Sequence, residues 1–278
     1  MKKSTFGALV GTGVAAAAAV AAPILIKQQR KLSVSRLNYR SEKVFGALSG
    51  YRIAHVADLH NREIGQNNEI LLAQLQVEQP DRILITGDLI DSYRPDPKIA
   101  LAFAEEAVKI APCDFVTGNH EHRMARKDFD AFLDALRERG VQVLRNEAVR
   151  VYVGEEQFRL IGVDCQEGKT ETLSDLMRSR PANELNILLS HKPHYAEHYE
   201  NARVDLVFCG HAHGGQFRLP LLGGLYAPGQ GILPRYTDGL YELGNTTLCV
   251  SRGLGNSSFP IRLGNPPELQ IVTLLPKE

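Results

Sequence analysis

Along the first half of this chain, short apolar runs alternate with stretches of helical periodicity. Arg52–Ala57, Arg82–Thr86 and Cys113–Thr117 are each too short for a stable helix and nearly unbroken in their apolar character, which predicts buried strands. Between them, Ile70, Leu71 and Leu75 recur at helical spacing from Asn68 to Glu78, and Pro80 stops the pattern. Asp96-Pro97 reads as an N-cap followed by an N1 proline, opening a second helix through Leu101, Phe103, Ala104, Ala107 and Val108. A third spans Asp128 to Arg139, with Phe129, Phe132, Leu133 and Leu136 on its inner face and Gly140 as its cap. This alternation predicts α/β architecture.

After Gly140 the rhythm turns to strands: Val141–Leu144, Val149–Val153 and Phe158–Val163. A helix around Thr172–Ser179 ends before Pro181, and apolar runs follow at Leu185–Ser190 and Val204–Phe208. Leu240–Leu243 and Thr247–Val250 predict a hairpin around Gly244-Asn245, and Glu268–Leu275 a last strand. Residues 31–50 are a polar tether in which Leu32/Val34 and Leu37/Tyr39 alternate as in a strand.

The residues that end the five apolar runs change the picture. In order they are Asp58-Leu59-His60, Gly87-Asp88-Leu89-Ile90-Asp91, Gly118-Asn119-His120-Glu121, His191, and Gly210-His211-Ala212-His213. Any one is an ordinary turn. Five strands each delivering Asp, Asn or His at the C-terminal end is the pattern expected where the loops of an α/β sheet converge on one site. Imidazole is the commonest protein ligand for transition metals, and glycines keep the His-x-His surroundings open.

Taken together, these motifs resemble the calcineurin-like metallophosphoesterases from about Tyr51 to the C-terminus. His191-Lys192-Pro193, the Gly-Gly-Gln after His213, Ser251–Gly255 and Pro266-Pro267-Glu268-Leu269 bring the likeness to the membrane-associated bacterial YkuE/YaeI-type subgroup. The resemblance implies a sandwich of two mixed β-sheets flanked by helices over residues 51–278. It also implies hydrolysis of a phosphodiester, monoester or pyrophosphate by a metal-activated water at two divalent ions. Such ions lie about 3.5–4 Å apart and need a shared anionic ligand. Matched motif by motif, Asp88 is the bridge, Asp58, His60 and His213 complete one site, and Asn119, His191 and His211 the other. Mixed imidazole and carboxylate ligation suits Mn, Fe, Zn or Co. His120 matches the residue that hydrogen-bonds the phosphate and protonates the leaving group, and Asp91 the carboxylate that orients it. For Asp91 a turn role is the alternative. Arg62 and Arg252 are open between phosphate contact and plain surface.

Four histidines are given no role in the site. His55 lies inside the first strand and reads as packed core. His122 is either an outer partner of the site or surface. His194 and His198, an i, i+4 pair on a predicted helix, read as solvent-exposed.

Composition supports a folded domain: 44% of residues are hydrophobic. With 32 basic and 32 acidic residues the formal net charge is zero, which does not favour a nucleic-acid coat or a nuclease surface. Cys113, Cys165, Cys209 and Cys249 are far apart, so neither a disulfide nor a cysteine metal site is assigned. Within residues 1–30, Lys2 and Lys3 precede an uncharged run from Phe6 to Ile26. At roughly 1.5 Å per residue it just crosses a bilayer core. An uncleaved anchor and a secretory signal cut near Ala19-Val20-Ala21 both fit; the length of the run favours the anchor. The expected location is the cell membrane with the catalytic domain outside the cytoplasm, its side barely decided by flanking charge, or secretion if the segment is cleaved.

Two features bear on substrate. The stretch Phe217–Pro234 is apolar but broken by glycines and prolines, so it predicts a loop beside the metals. Its Leu221, Leu222 and Leu225 belong either to the core or to an apolar lip for an acylated substrate. The alternatives carried forward are a UDP-2,3-diacylglucosamine-type lipid pyrophosphate hydrolase and, in another class, a catalytically silent membrane-tethered scaffold. The scaffold predicts a lost ligand, and none is missing.

Overall fold

The apolar runs pair into two six-stranded sheets stacked face to face. The structure, a computed structural model, describes residues 31–165, 170–178, 180–256 and 259–277. The segment expected to be a signal or anchor, residues 1–30, lies outside the described residues.

The first sheet is built from β1 (Ser33–Ser41), β2 (Arg52–Val56), β3 (Arg82–Ile85), β4 (Cys113–Phe115) and β5 (Gln142–Val143), closed by the last strand of the chain, Glu268–Pro276. That last strand inserts between β1 and β2, parallel to the first and antiparallel to the second, and β2 to β5 run parallel. Helices α1 (Glu69–Glu78), α2 (Lys98–Ala107) and α3 (Arg126–Glu138) are the crossovers. At the end of α1, Gln79 takes a left-handed φ of 47°, consistent with the bar on right-handed helix before Pro80.

The second sheet holds β6 (Glu147–Val153), β7 (Glu156–Gly162), β8 (Leu185–Leu189) and β9 (Leu206–Cys209). Helix α4 (Thr170–Arg178) connects β7 to β8, and α5 (Ala196–Asn201) precedes β9. The stretch expected to be an irregular loop folds into two short ribbons, β10 (Arg218–Leu219) with β11 (Gly223–Gly224) and β12 (Tyr226–Ala227) with β13 (Gly231–Ile232). The hairpin of β14 (Gly239–Leu243) and β15 (Thr246–Val250) then joins β9, and the final strand above is β16. Strands β7, β8, β9 and β15 are parallel.

Alternate residues of the central strands serve different layers, as a period of two requires. Ile53, Leu84, Phe158, Ile187 and Phe208 fill the space between the sheets. Ile83 and Ile85 face outward onto Phe103 and Phe132 of the helices. On the other side, Ile161, Leu188 and Val207 pack with Leu173 and Tyr199. Because strands of both sheets are buried on both faces, they read as unbroken apolar runs. The C-terminal ends of the parallel strands lie along one edge of the sandwich, where their loops meet.

Candidate metal centre

At that edge, all seven residues of the expected ligand set come together. Asp58, His60, Asp88 and His213 offer ligand atoms that lie within 4.8 Å of one another, and so do Asp88, His191 and His211. Asp88 belongs to both groups. Asn119 stands with the second: its Oδ1 is 3.1 Å from His191 Nε2. Across the cluster His60 Nε2 is 3.3 Å from His213 Nε2, and His211 Nδ1 is 3.1 Å from His191 Nε2. Asp88 Oδ2 lies 3.2 Å from His191 Nε2 and 3.6 Å from His60 Nε2.

The backbone is bent to bring this about. Asp58, His60, Asp88, His211 and His213 all have φ between 48° and 64°. The left-handed region costs an L-residue on the order of 1 kcal/mol, so five such residues in one cluster mark a site held in place by its surroundings. Backbone bonds provide part of that hold: His60 N–H donates to Asp88 O at 2.9 Å, and His120 N–H to Asp88 Oδ1 at 2.8 Å. Space is made by glycine. A Cβ on Gly118 would sit 2.2 Å from Asp88 Oδ1, and one on Gly210 2.6 Å from Asp58 Oδ2.

Burial and charge act in opposite directions here. Burial lowers His60 to about 3 and holds His211 and His213 well below the usual imidazole range, so these rings are neutral, the form a metal needs. Burial also works against charging His191, but Asp88 and Asp58 overcome it and raise the ring to about 9. The same contact keeps Asp88 well below the carboxylate range despite its burial. Asp58, buried and beside Asp88, is raised to about 7. His191 Nδ1 donates to Thr86 O at 2.7 Å, so its neutral ring turns a bare Nε2 lone pair inward. His60 Nδ1 is buried without a hydrogen-bond partner among the described residues. Two carboxylates, four imidazoles and an amide oxygen, with lone pairs facing one another, are a donor set that fits divalent transition metals.

His120 and Asp91 sit next to the cluster. His120 Nδ1 accepts a bond from Ser92 N–H at 2.9 Å and lies 3.5 Å from Asp91 Oδ1. A ring that accepts at Nδ1 carries its proton on Nε2 when neutral. Burial favours that neutral form. Ser92, which sequence reasoning missed, is therefore a closer partner than Asp91 in the neutral state.

Other expectations fare differently. His55 is core, closed at both nitrogens by Gln270 Oε1 and Thr86 Oγ1 at 2.8 Å each. His122 pairs with Asp164 and is 3.0 Å from Thr117 Oγ1, an outer position rather than open surface. The helix expected to carry His194 and His198 starts only at Ala196, and a short turn of Pro193–Tyr195 precedes it. That turn half-buries His194 against Tyr195 and within 5.7 Å of the His211 ring, correcting the expectation of full exposure. Arg252 is not plain surface: it pairs with Glu268 at 2.9 Å and reaches Ser33 Oγ at 3.2 Å, tying β1 and β16 to the site loop. Arg62 is partly buried, 3.4 Å from Leu254 O, beside a second cavity of about 590 Å³ that His60 also borders.

Three further residues had no role in the sequence reading. Glu121, the last of Gly-Asn-His-Glu, is fully buried and accepts from the amides of Asp88, Ile90 and Gly118 at 2.9, 3.2 and 2.8 Å, clamping the loops of Asp88 and Asn119 together. Arg262 is buried with its guanidinium 3.4 Å from His213 Nδ1 and bonded to Arg252 O. Burial and the nearby Arg62 lower it to about 9, so it remains charged at neutral pH. Arg123 Nη1 is 3.4 Å from His120 Nε2. Over the cluster opens a cavity of about 340 Å³, floored by Asp88, Asn119 and His211 and walled by Arg123, Tyr226 and Phe259.

Comparison with known proteins agrees with this geometry. The family model described as calcineurin-like phosphoesterase matches residues 51–215. Phosphodiesterase YaeI of Escherichia coli is 32% identical over 236 residues, covering 81% of this chain and 82% of that protein. The uncharacterised metallophosphoesterase YkoQ of Bacillus subtilis is 27% identical over 253 residues, 89% of this chain and 93% of its own length. Among solved structures, the fold is similar to a dimetal phosphatase from Danio rerio, with a TM-score of 0.50 at 12% identity over 74% of this chain and 88% of that one.

Proposed function

The chain belongs to the calcineurin-like phosphoesterase family and is a metal-dependent phosphoester hydrolase, and we propose that it works with two metal ions that share Asp88. The observation that carries the proposal is the double membership of Asp88 in two ligand groups. Asp58, His60, Asp88 and His213 would hold one ion, and Asp88, Asn119, His191 and His211 the other. When bound, such ions supply a water acidified to near-neutral pKa and neutralise charge on the phosphoryl oxygens. Two carboxylates against two divalent ions leave the site electropositive, which suits an anionic ester.

The chain's own groups do the rest. Arg123 lies at the cavity wall, where its guanidinium can fork onto a phosphoryl oxygen. His120 presents Nε2–H toward the same space and donates a hydrogen bond to the ester. To hand a full proton to the leaving oxygen the ring must first be charged. The second proton then sits on Nδ1, where Ser92 N–H no longer fits and Asp91 Oδ1, 3.5 Å away, accepts it. In this scheme Ser92 holds the resting tautomer and Asp91 the working one.

Membrane attachment through the uncharged run 6–26 is part of the proposal and rests on sequence alone. The full chain, stripped by chelation and reloaded with manganese, should regain hydrolysis of bis-nitrophenyl phosphate in step with metal uptake. Protein that carries two ions and hydrolyses neither this diester nor a monoester would overturn the reading.

A further inference from the structure

Of the fourteen large apolar side chains exposed among the described residues, nine belong to two segments, 219–233 and 259–263. The segments are continuous in space. Arg218 N–H donates to Leu263 O at 2.8 Å, Leu233 N–H to Leu225 O at 3.0 Å, and the Phe217 and Phe259 rings lie 6.1 Å apart. Leu221, at the tip of the β10–β11 ribbon, is fully exposed, and Ile232 is 81% exposed. Leu221 and Leu233 have φ of 69° and 53°, where Gly or Asn would be cheaper. The backbone disfavours leucine at both positions, and solvent exposure offers little packing in return: Leu221 is fully exposed and Leu233 60% exposed.

This patch adjoins the catalytic cavity, because Tyr226 and Phe259 are both cavity wall and rim. The chain also enters the domain at the same edge. Ser33 N–H donates to Pro267 O, and Arg252 links Ser33 Oγ to the His213 loop, where a Cβ on Gly214 would meet Arg252 Cγ at 2.9 Å. Only residues 27–32 separate Ser33 from the uncharged run ending at Ile26, a reach of at most about 25 Å. The start of β1, to which the apolar run is tethered in sequence, and the apolar rim are therefore both linked to the loops around the metal cavity.

We propose that the rim of Leu221, Leu222, Ile232 and Leu233 docks on a lipid bilayer and sets the mouth of the metal cavity against it. The substrate is then a phosphoester whose apolar tail lies in the membrane. An apolar patch of this kind beside a cleft is the surface expected for such contact. The choice of substrate rests on the phosphoesterase reading; the docking does not.

The chain has no tryptophan, so one introduced residue reports alone. Full-length Leu221→Trp and Ile232→Trp, in phosphatidylethanolamine–phosphatidylglycerol vesicles with brominated acyl chains, should show blue-shifted emission that the bromines quench. Tyr152→Trp, exposed at the far end of β6, should not be quenched. Rim variants quenched no more than Tyr152→Trp would overturn the docking, as would a blue shift that appears without lipid and grows with protein concentration, which places a second copy on the rim. Replacing Leu221, Leu222 and Ile232 by Ser should raise KM roughly tenfold or more for a vesicle-borne phosphodiester, given the apolar area involved, and spare the water-soluble nitrophenyl diester. Equal loss on both substrates would refute the membrane-borne substrate. Quenching without any hydrolysis would instead count against the phosphoesterase reading and leave the docking standing.

Discussion

His55 and His191 are both fully buried, and both bond to Thr86, yet they are chemical opposites. His55, inside β2, is closed at both nitrogens by neutral partners, and burial lowers it to about 4. His191, two residues past the end of β8, spends one nitrogen on Thr86 O and aims the other at Asp88, which raises it to about 9. Burial alone thus does not make a site. The strand interior satisfies its polar groups and makes them inert, while the strand ends leave one ligand atom per residue open toward a shared carboxylate.

The comparison breaks most easily at that carboxylate. Asp88→Asn removes the charge both ligand groups share, so metal affinity should fall at both positions by more than the roughly 10–100-fold typical of an outer partner. Metal analysis at fixed free manganese checks this, and one position left at full occupancy would separate the two groups. Next comes His120→Ala, which should keep its metal and lose about 10²–10⁴-fold in kcat on alkyl esters, with a smaller loss for nitrophenyl esters. An equal loss for good and poor leaving groups would take His120 out of the acid role.

A pH series on the metal-free chain sharpens the contrast, because the two histidines predict opposite signs. His55 is lowered from 6.5 to about 4, so the unfolded chain binds the extra proton and stability falls as pH drops from 6.5 toward 4, by about 3 kcal/mol in all. His191 is raised, so its contribution is complete below 6.5 and is lost as pH rises through about 9. Denaturant unfolding in chelator should show both limbs, the acid one deepened by His60, His211 and His213, which burial also lowers, and metal should abolish the alkaline one, since a ligated His191 carries no extra proton. The smallest effect belongs to the rim: Leu221→Asn relieves a left-handed leucine and should raise stability by up to about 1 kcal/mol, and a loss of stability would mean the side chain has a packing role.

The strand ends were legible because each candidate ligand follows an apolar run at its C-terminus. Asp58, Asp88, Asn119, His191 and His211 need only that pattern and the parallel order of their strands. Arg262 gave no such signal: it lies in a stretch rich in glycine and proline and reaches His213 only once residues 259–265 fold back across the site. Ser92 was hidden by Asp91, the more conspicuous residue beside it, because no sequence pattern announces a backbone N–H on an imidazole. The pairing of β1 with β16 spans most of the chain, and Arg252 bridges Ser33 and Glu268 at its start, partners assembled only in the folded state.

The account turns on Asp88 serving two ions, and anomalous diffraction from crystals grown with manganese tests it directly. Two peaks should flank the Asp88 carboxylate about 3.5–4 Å apart, one among Asp58, His60 and His213 and the other among Asn119, His191 and His211. A single peak, or two that do not share Asp88, would contradict it.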